Sequence, residues 1–360
     1  MDNRLKLHFE PRRGWINDPN GLCFWRGQYH AFFQHNPHAP VWAQMHWGHA
    51  VSDDLIHWEE KDIALFPDQP YENSGGCFSG SAVIEGERLW LFYTTVSREL
   101  GQTQSVAWTD DGVHFTKYEG NPVIDHFPED GSKDFRDPKV TKIGDTYHMV
   151  LASGKDGTGK ILRYTSADLL HWEYAGVLYE NAELGKIYEC PDFFPLDGRY
   201  VLMFSRIGRR RDAVLFVAGD FDGNVFTPEN ICEVEMGPHF YAPQTFLAPD
   251  GRRILIPWMH SWGKLPGDGD VYKGAFGIPR QLSVRDGRVY NAPLDEIKPC
   301  LTDTDKAVTV TANRVEIAVR EGEEPLFYEG TVREVQILRD TRTVEVFING
   351  GQRVLSYWLQ

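Results

Sequence analysis

Three acidic residues, Asp18, Asp137 and Glu189, stand in short segments built alike: Asn17-Asp18-Pro19-Asn20-Gly21, Phe135-Arg136-Asp137-Pro138 and Glu189-Cys190-Pro191-Asp192. Each precedes an aromatic-rich run by nearly the same interval. Asp18 lies eleven residues before Tyr29, Asp137 ten before Tyr147 and Glu189 eleven before Tyr200. Two more positions share this phase, Ser79 eleven residues before Trp90 and Tyr241 twelve before Arg253. Like charges gathered at one place destabilise a fold unless they pair or work. Carboxylic acids clustered without metal ligands are equipped for glycoside cleavage. One carboxylate attacks the anomeric carbon, and a second, kept protonated by its neighbours' charge, hands a proton to the leaving oxygen. Nearby residues suit a sugar: Trp15, Trp42, Trp47 and Phe78 offer flat apolar faces, and Asn17, Gln34, Ser79 and Arg136 offer hydrogen bonds.

Taken singly, each motif has a plainer account. Asn17–Gly21 is made of turn-forming residues, Arg136-Asp137 is a local ion pair, and Glu189 is an acid on a loop. Cys190 reads as a small packed residue, because no histidine shares its phase. Trp42 reads equally as a packed core residue, and Trp47 more readily so. The common phase of the acids is what favours a site.

The elements that must position these residues come from a repeat. Asp54-Leu55-Ile56-His57-Trp58 recurs as Asp111-Gly112-Val113-His114-Phe115 and as Asp168-Leu169-Leu170-His171-Trp172, the histidines 57 residues apart each time. A degenerate copy is Asp222-Gly223-Asn224-Val225-Phe226. His57, His114 and His171 therefore read as fasteners of a repeated turn, not as ligands. The aromatic-rich runs begin at Gln28, Arg88, Thr146, Arg199 and Arg252, each after a polar turn, and read as strands. Five such units predict an all-β fold, a five-bladed β-propeller over residues 1–298, whose innermost strands converge on one axis. From about Pro299 the pattern changes, and residues 299–360 read as a small C-terminal β domain. Its last part, Thr343–Ile348 and Val354–Trp358 about Asn349-Gly350-Gly351, reads as a hairpin with an Asn-Gly turn.

Composition narrows the function. A net charge of −15 argues against a nucleic-acid partner, and no apolar run approaches the ~20 residues of a membrane span. Met1–His8 lacks the apolar stretch of a secretory signal. The five cysteines are scattered, without a C-x-x-C pair, and the 13 histidines include no H-E-x-x-H. A cytoplasmic location is expected, with no metal and no cofactor, and with a small sugar as the partner. Arg206, Arg209, Arg210 and Arg211 form one basic cluster, suited to a sugar phosphate or simply solvated.

The motifs also carry a resemblance. Trp15-Ile16-Asn17-Asp18-Pro19-Asn20-Gly21 resembles the signature of glycoside hydrolase family 32, the invertases, levanases and inulinases. Phe135–Pro138 and Glu189–Asp192 resemble its second and third motifs, and Phe78–Ser81 and Tyr241–Phe246 match further blocks in the same order. The resemblance implies a five-bladed propeller followed by a β-sandwich, and retention of anomeric configuration. It implies Asp18 as nucleophile, Glu189 as general acid/base and Asp137 as the residue that binds fructosyl hydroxyls and stabilises the transition state. Asn17, Gln34, Trp42, Phe78, Ser79, Arg136 and Tyr241 would line the fructose subsite, with Trp258 or Trp262 as an aromatic wall. Two departures stand out. His239 replaces a common Asp on the leaving-group side, and the terminal domain is short, so that either a reduced sandwich packs on the propeller or a partner subunit completes it. The expected activity is hydrolysis of sucrose, sucrose 6-phosphate or short fructo-oligosaccharides. A fructosyltransferase using the same intermediate and a non-catalytic fructan-binding propeller are the alternatives.

Overall fold

The computed structural model describes residues 3–207, 212–263, 265, 269 and 271–359. Among them, five four-stranded antiparallel meanders each have an innermost strand, Gly14–Trp25, Gly76–Glu85, Arg136–Ile143, Tyr188–Leu196 and Tyr241–Leu247, and Tyr272–Lys273 pairs parallel to the first of these. Each innermost strand touches the next, and the fifth returns to touch the first, so the sheets close into a five-bladed propeller. The aromatic-rich runs form the second strand of every blade: Gln28–Asn36, Arg88–Ser97, Thr146–Lys155, Arg199–Arg206 and Arg253–Trp258. Their apolar side chains fill the spaces between neighbouring blades. Phe32 and Trp47 of the first blade pack with Leu91 and Tyr93 of the second, and Val150 and Ile161 of the third pack with Phe193 and Leu202 of the fourth.

Turn chemistry explains how the strands reverse. Trp25 pairs with Gln28 and Leu196 with Arg199, and both residues of each intervening pair, Arg26-Gly27 and Asp197-Gly198, have positive φ. That geometry matches the twist of the flanking strands. The repeated Asp-x-x-His segments are turns between the two outer strands. Asp54 accepts the backbone N–H groups of Ile56 and His57 at 2.9 and 2.7 Å and holds His57 Nδ1 at 2.6 Å. Asp111–His114 and Asp168–His171 repeat it, each with a 2.7 Å side-chain bond. The residue after the Asp is left-handed in all four copies, Leu55, Gly112, Leu169 and Gly223, which accounts for the glycine in two of them.

The C-terminal region holds two further sheets. Leu301–Thr302, Val335–Arg339, Thr343–Ile348 and Arg353–Trp358 make one, and Val308–Thr311, Arg314–Ile317 and Leu326–Glu329 the other. Val315 and Ile317 of the smaller sheet share a core with Val344, Val346 and Leu355 of the larger, which makes this a reduced sandwich. The expected hairpin forms, but with a longer turn than a bare Asn-Gly pair. Ile348 pairs with Arg353, and Asn349, Gly350 and Gly351 are all left-handed. Leu338, Phe347 and Val354 also join the core between the fourth and fifth blades, so the sandwich is packed directly on the propeller.

Candidate active site

All five innermost strands are interrupted at the same level. Register breaks fall between Ile16 and Pro19, Cys77 and Gly80, Arg136 and Lys139, Glu189 and Asp192, and Tyr241 and Gln244. At each break two residues face one on the second strand, which is a β-bulge, and a bulge re-aims the side chains beside it. Asp137, Cys190 and Ala242 take left-handed φ values of 62, 47 and 47° there, each just before a proline. The repeating feature is thus the bulge rather than one register position. Asp18 and Ser79 are the second residue of their bulges, Asp137 is the first, and Glu189 and Tyr241 precede theirs.

The five bulges surround a cavity of about 140 Å³. On its floor, Ser79 Oγ donates to Asp18 Oδ2 at 2.6 Å and Asn17 Nδ2 donates to Asp18 Oδ1 at 3.0 Å. Asn17 is held in turn by Trp15 Nε1, which donates to its Oδ1 at 2.7 Å and so turns the amide nitrogen toward Asp18. The Cys190 thiol lies 3.4 Å from Asp18 Oδ2 and 3.6 Å from Asp137 Oδ2, and its backbone N–H donates to Asp137 Oδ2 at 2.9 Å. Across the cavity, Glu189 receives Arg136 Nη2 at 2.8 Å on Oε1 and the Tyr241 hydroxyl at 2.7 Å on Oε2. The expected Arg136–Asp137 pair is long, 4.0 Å, because the guanidinium turns instead to Glu189 and Asp134.

Burial sets the electrostatics. It pushes the Asp137 carboxyl up to about 7, against the opposing pull of Arg136 and with the aid of the Glu189 and Asp18 charges. It raises Asp18 as well, while Ser79 and Asn17 favour the ionised form. Burial, reinforced by Glu189, holds the Tyr241 phenol protonated far beyond its ordinary range, so it remains a donor. The Cys190 thiol is likewise raised by burial and by the Asp137 and Asp18 charges. A thiol so held is no nucleophile, in keeping with its reading as a packed residue.

Residues 8–293 match the model of the glycosyl hydrolases family 32 N-terminal domain. The chain belongs to glycosyl hydrolase family 32. This β-fructofuranosidase-type hydrolase is 35% identical to a sucrose-6-phosphate hydrolase of Zymomonas mobilis over 98% of the chain and 74% of the relative. It is 38% identical to a raffinose invertase of Escherichia coli over 81% of the chain and 65% of that protein. Its fold superposes on a Bombyx mori GH32 beta-fructofuranosidase with a TM-score of 0.89 at 29% identity, covering 99% of this chain and 89% of that one. A mutant of the silkworm enzyme has been solved in complex with sucrose.

Every site residue expected from the family-32 motifs lines the one cavity: Asn17, Asp18, Gln34, Trp42, Phe78, Ser79, Arg136, Asp137, Glu189, Tyr241, Trp258 and Trp262. Trp262, 56% exposed, and Trp42, 45% exposed, flank the mouth, whereas Trp258 is a buried wall. Gln34 is anchored by its amide to the Cys77 carbonyl at 2.8 Å. Two aromatic faces fall elsewhere. Trp47 is wholly buried and its indole N–H holds the Phe78 carbonyl at 2.9 Å, while Trp15 packs behind Asn17 and under Trp262. His239 does not line the carboxylate cavity. It lines a separate apolar pocket with Met236, Pro238 and Tyr357, and its Nδ1 bonds the His260 carbonyl at 2.7 Å. Arg206 bonds the Leu184 carbonyl at 3.3 Å, and Arg209, Arg210 and Arg211 lie outside the described residues. Cys190 joins the lining without having been expected there.

Proposed function

We propose that this chain releases terminal β-fructofuranosyl residues from sucrose, sucrose 6-phosphate or short fructo-oligosaccharides, with retention, through a covalent fructosyl-enzyme intermediate. The observation that carries the reading is the meeting of three carboxylates, from three different blades, in one small cavity whose remaining walls are aromatic rings and hydrogen-bond donors. In the forward half-reaction a carboxylate oxygen of Asp18 attacks the anomeric carbon of the fructosyl group, and Glu189 protonates the departing oxygen. Ser79 and Asn17 favour the ionised Asp18 needed for attack. In the second half-reaction Glu189, now ionised, takes a proton from water, which displaces Asp18 and frees fructose. Arg136 and Tyr241 orient Glu189, and Asp137 grips fructosyl hydroxyls and supports the positive charge that develops on the ring.

The relatives' names span a phosphorylated disaccharide, a raffinose-cleaving invertase and a levanase, so substrate choice is a separate matter. The expected cytoplasmic location favours short substrates over polymeric fructan. A hydrolysis panel tests this: sucrose, sucrose 6-phosphate, kestose, inulin and levan, with free fructose measured for each. Fructose from the small substrates at rates well above inulin and levan is the expected result. Equal or faster release from the polymers defeats the substrate reading, and no release from any of them defeats the activity. Growth of longer products at high sucrose in place of free fructose would assign transfer instead.

A further inference from the structure

We propose that Thr94 and Gln104, neither of which lines the cavity, are positioning residues for Asp137: together they fix the left-handed backbone turn that delivers its carboxylate to the site. The assignment rests on the role given to Asp137 above. Thr94 and Gln104 are cross-strand partners in the second blade, both fully buried, and both reach across to the third. The Thr94 hydroxyl donates to Gln104 Oε1 at 2.8 Å, which leaves its lone pairs to accept the backbone N–H of Asp137 at 2.9 Å. Gln104 Nε2 donates to the carbonyl of Phe135 at 2.8 Å, which also decides the orientation of the amide. The two side chains therefore bracket residues 135–137 from both ends.

Three observations give that bracket a job beyond packing. Asp137 has φ of 62°, a conformation that non-glycine residues leave unless held. Its N–H falls in the bulge, where the ladder supplies no partner, and Thr94 is the acceptor found there. Asp137 Oδ2 is already committed to the Cys190 N–H in the fourth blade, so the aim of its other oxygen depends on where the residue 137 backbone sits between two blades. Other left-handed bulge residues show the same device. Ala242 N–H is held by Ser205 Oγ of the preceding blade at 3.0 Å, and Cys190 N–H by Asp137 itself. Loosening Thr94 thus misplaces the acid that holds the next bulge and the substrate together.

The test uses the full chain with Thr94→Val, Thr94→Ser, Gln104→Leu and Asp137→Ala, and the fructoside that the wild type cleaves fastest in the panel above. Valine keeps the shape of threonine and removes the acceptor. Thr94→Val is expected to lose on the order of tenfold or more in kcat/KM, the scale of one lost buried hydrogen bond. Its acidic limb should also move, because residue 137 no longer sits in the same field of Asp18, Glu189, Arg136 and Cys190. Thr94→Ser is expected to restore most of the activity and the wild-type limb. A Thr94→Val protein that melts earlier yet keeps wild-type kcat/KM and pH profile, well below its melting point, overturns the assignment. Should Thr94→Val not fold, Gln104→Leu carries the test, and failure of both to fold makes the pair structural and overturns it too. An active wild type with an unimpaired Asp137→Ala variant sinks the role of Asp137 itself, a different outcome from an intact Asp137 requirement with an indifferent Thr94.

Discussion

Asp18 has both carboxylate oxygens engaged before any sugar arrives, one by Ser79 and one by Asn17. Those donors stabilise the anion that attack requires, and burial works against them. Removing a donor therefore has a definite sign. Ser79→Ala takes away a bond made to the ionised form, Asp18 rises further, and the acidic limb of kcat/KM shifts to higher pH; an unmoved or lowered limb in a pH–rate profile contradicts this. Replacement of the reacting groups is harsher. Asp18→Ala and Glu189→Ala are expected to fold and to lose fructose release by ~10²–10⁴-fold or more, the usual worth of such groups, as measured by turnover beside a thermal melt. Wild-type-like release by either variant removes its assigned role. The three acids could be found in the sequence because their type is unusual for a core and their surroundings repeat. Thr94, Gln104 and Cys190 could not be singled out by type, since buried hydroxyls, amides and thiols are commonplace, and only the contact across two blades gives these their meaning.

Four of the five blades combine a legible device with a hidden one. The Asp-x-x-His turns were readable because the side chain bonds its own neighbours, a local interaction written in consecutive residues. The bulges left no mark in the sequence, since a bulge adds a residue to one strand without a fixed residue type. The same locality limits what the turns contribute. Asp54→Ala loses the cap on the Ile56 and His57 N–H groups and the bond to His57 at a half-exposed rim. The expected cost is about 1 kcal/mol, the typical worth of such a cap, with kcat/KM unchanged below the melting transition. A loss of activity in a folded Asp54→Ala protein would show that the rim turns reach the cavity after all.

Across the whole molecule, propeller and sandwich are joined by buried charge. Arg280 of the fifth blade bonds Glu235 at 3.0 Å and reaches Glu345 and Ser356 of the terminal sheet, and His8 from the N-terminal segment bonds Asp340 at 2.8 Å and Glu345 at 2.7 Å. Composition gave no hint of this network, because pairing between residues 45 to 337 positions apart leaves no local pattern. A chain cut after residue 298 would take Glu345 and Ser356 away from Arg280 and expose Phe194 and Leu282 of a shared core, so it is expected not to fold, as a flat thermal melt of the fragment would show. His8 offers a graded test in the intact chain. Burial alone would lower its pKa, but the bonds and charges of Asp340 and Glu345 outweigh burial and raise it to about 9. The folded value thus exceeds the unfolded value of about 6.5. Stability from His8 is complete below that lower value, because both states then hold the proton. It declines as pH rises and is gone above about 9, where the folded state releases the proton too. At about 1.4 kcal/mol per unit, the whole contribution is on the order of 3 kcal/mol. Between pH 6.5 and 9 the wild type should lose that stability relative to a His8→Gln variant, which lacks the titrating ring; parallel stability curves for the two proteins across this window would remove His8 as the charged link between the N-terminal segment and the sandwich.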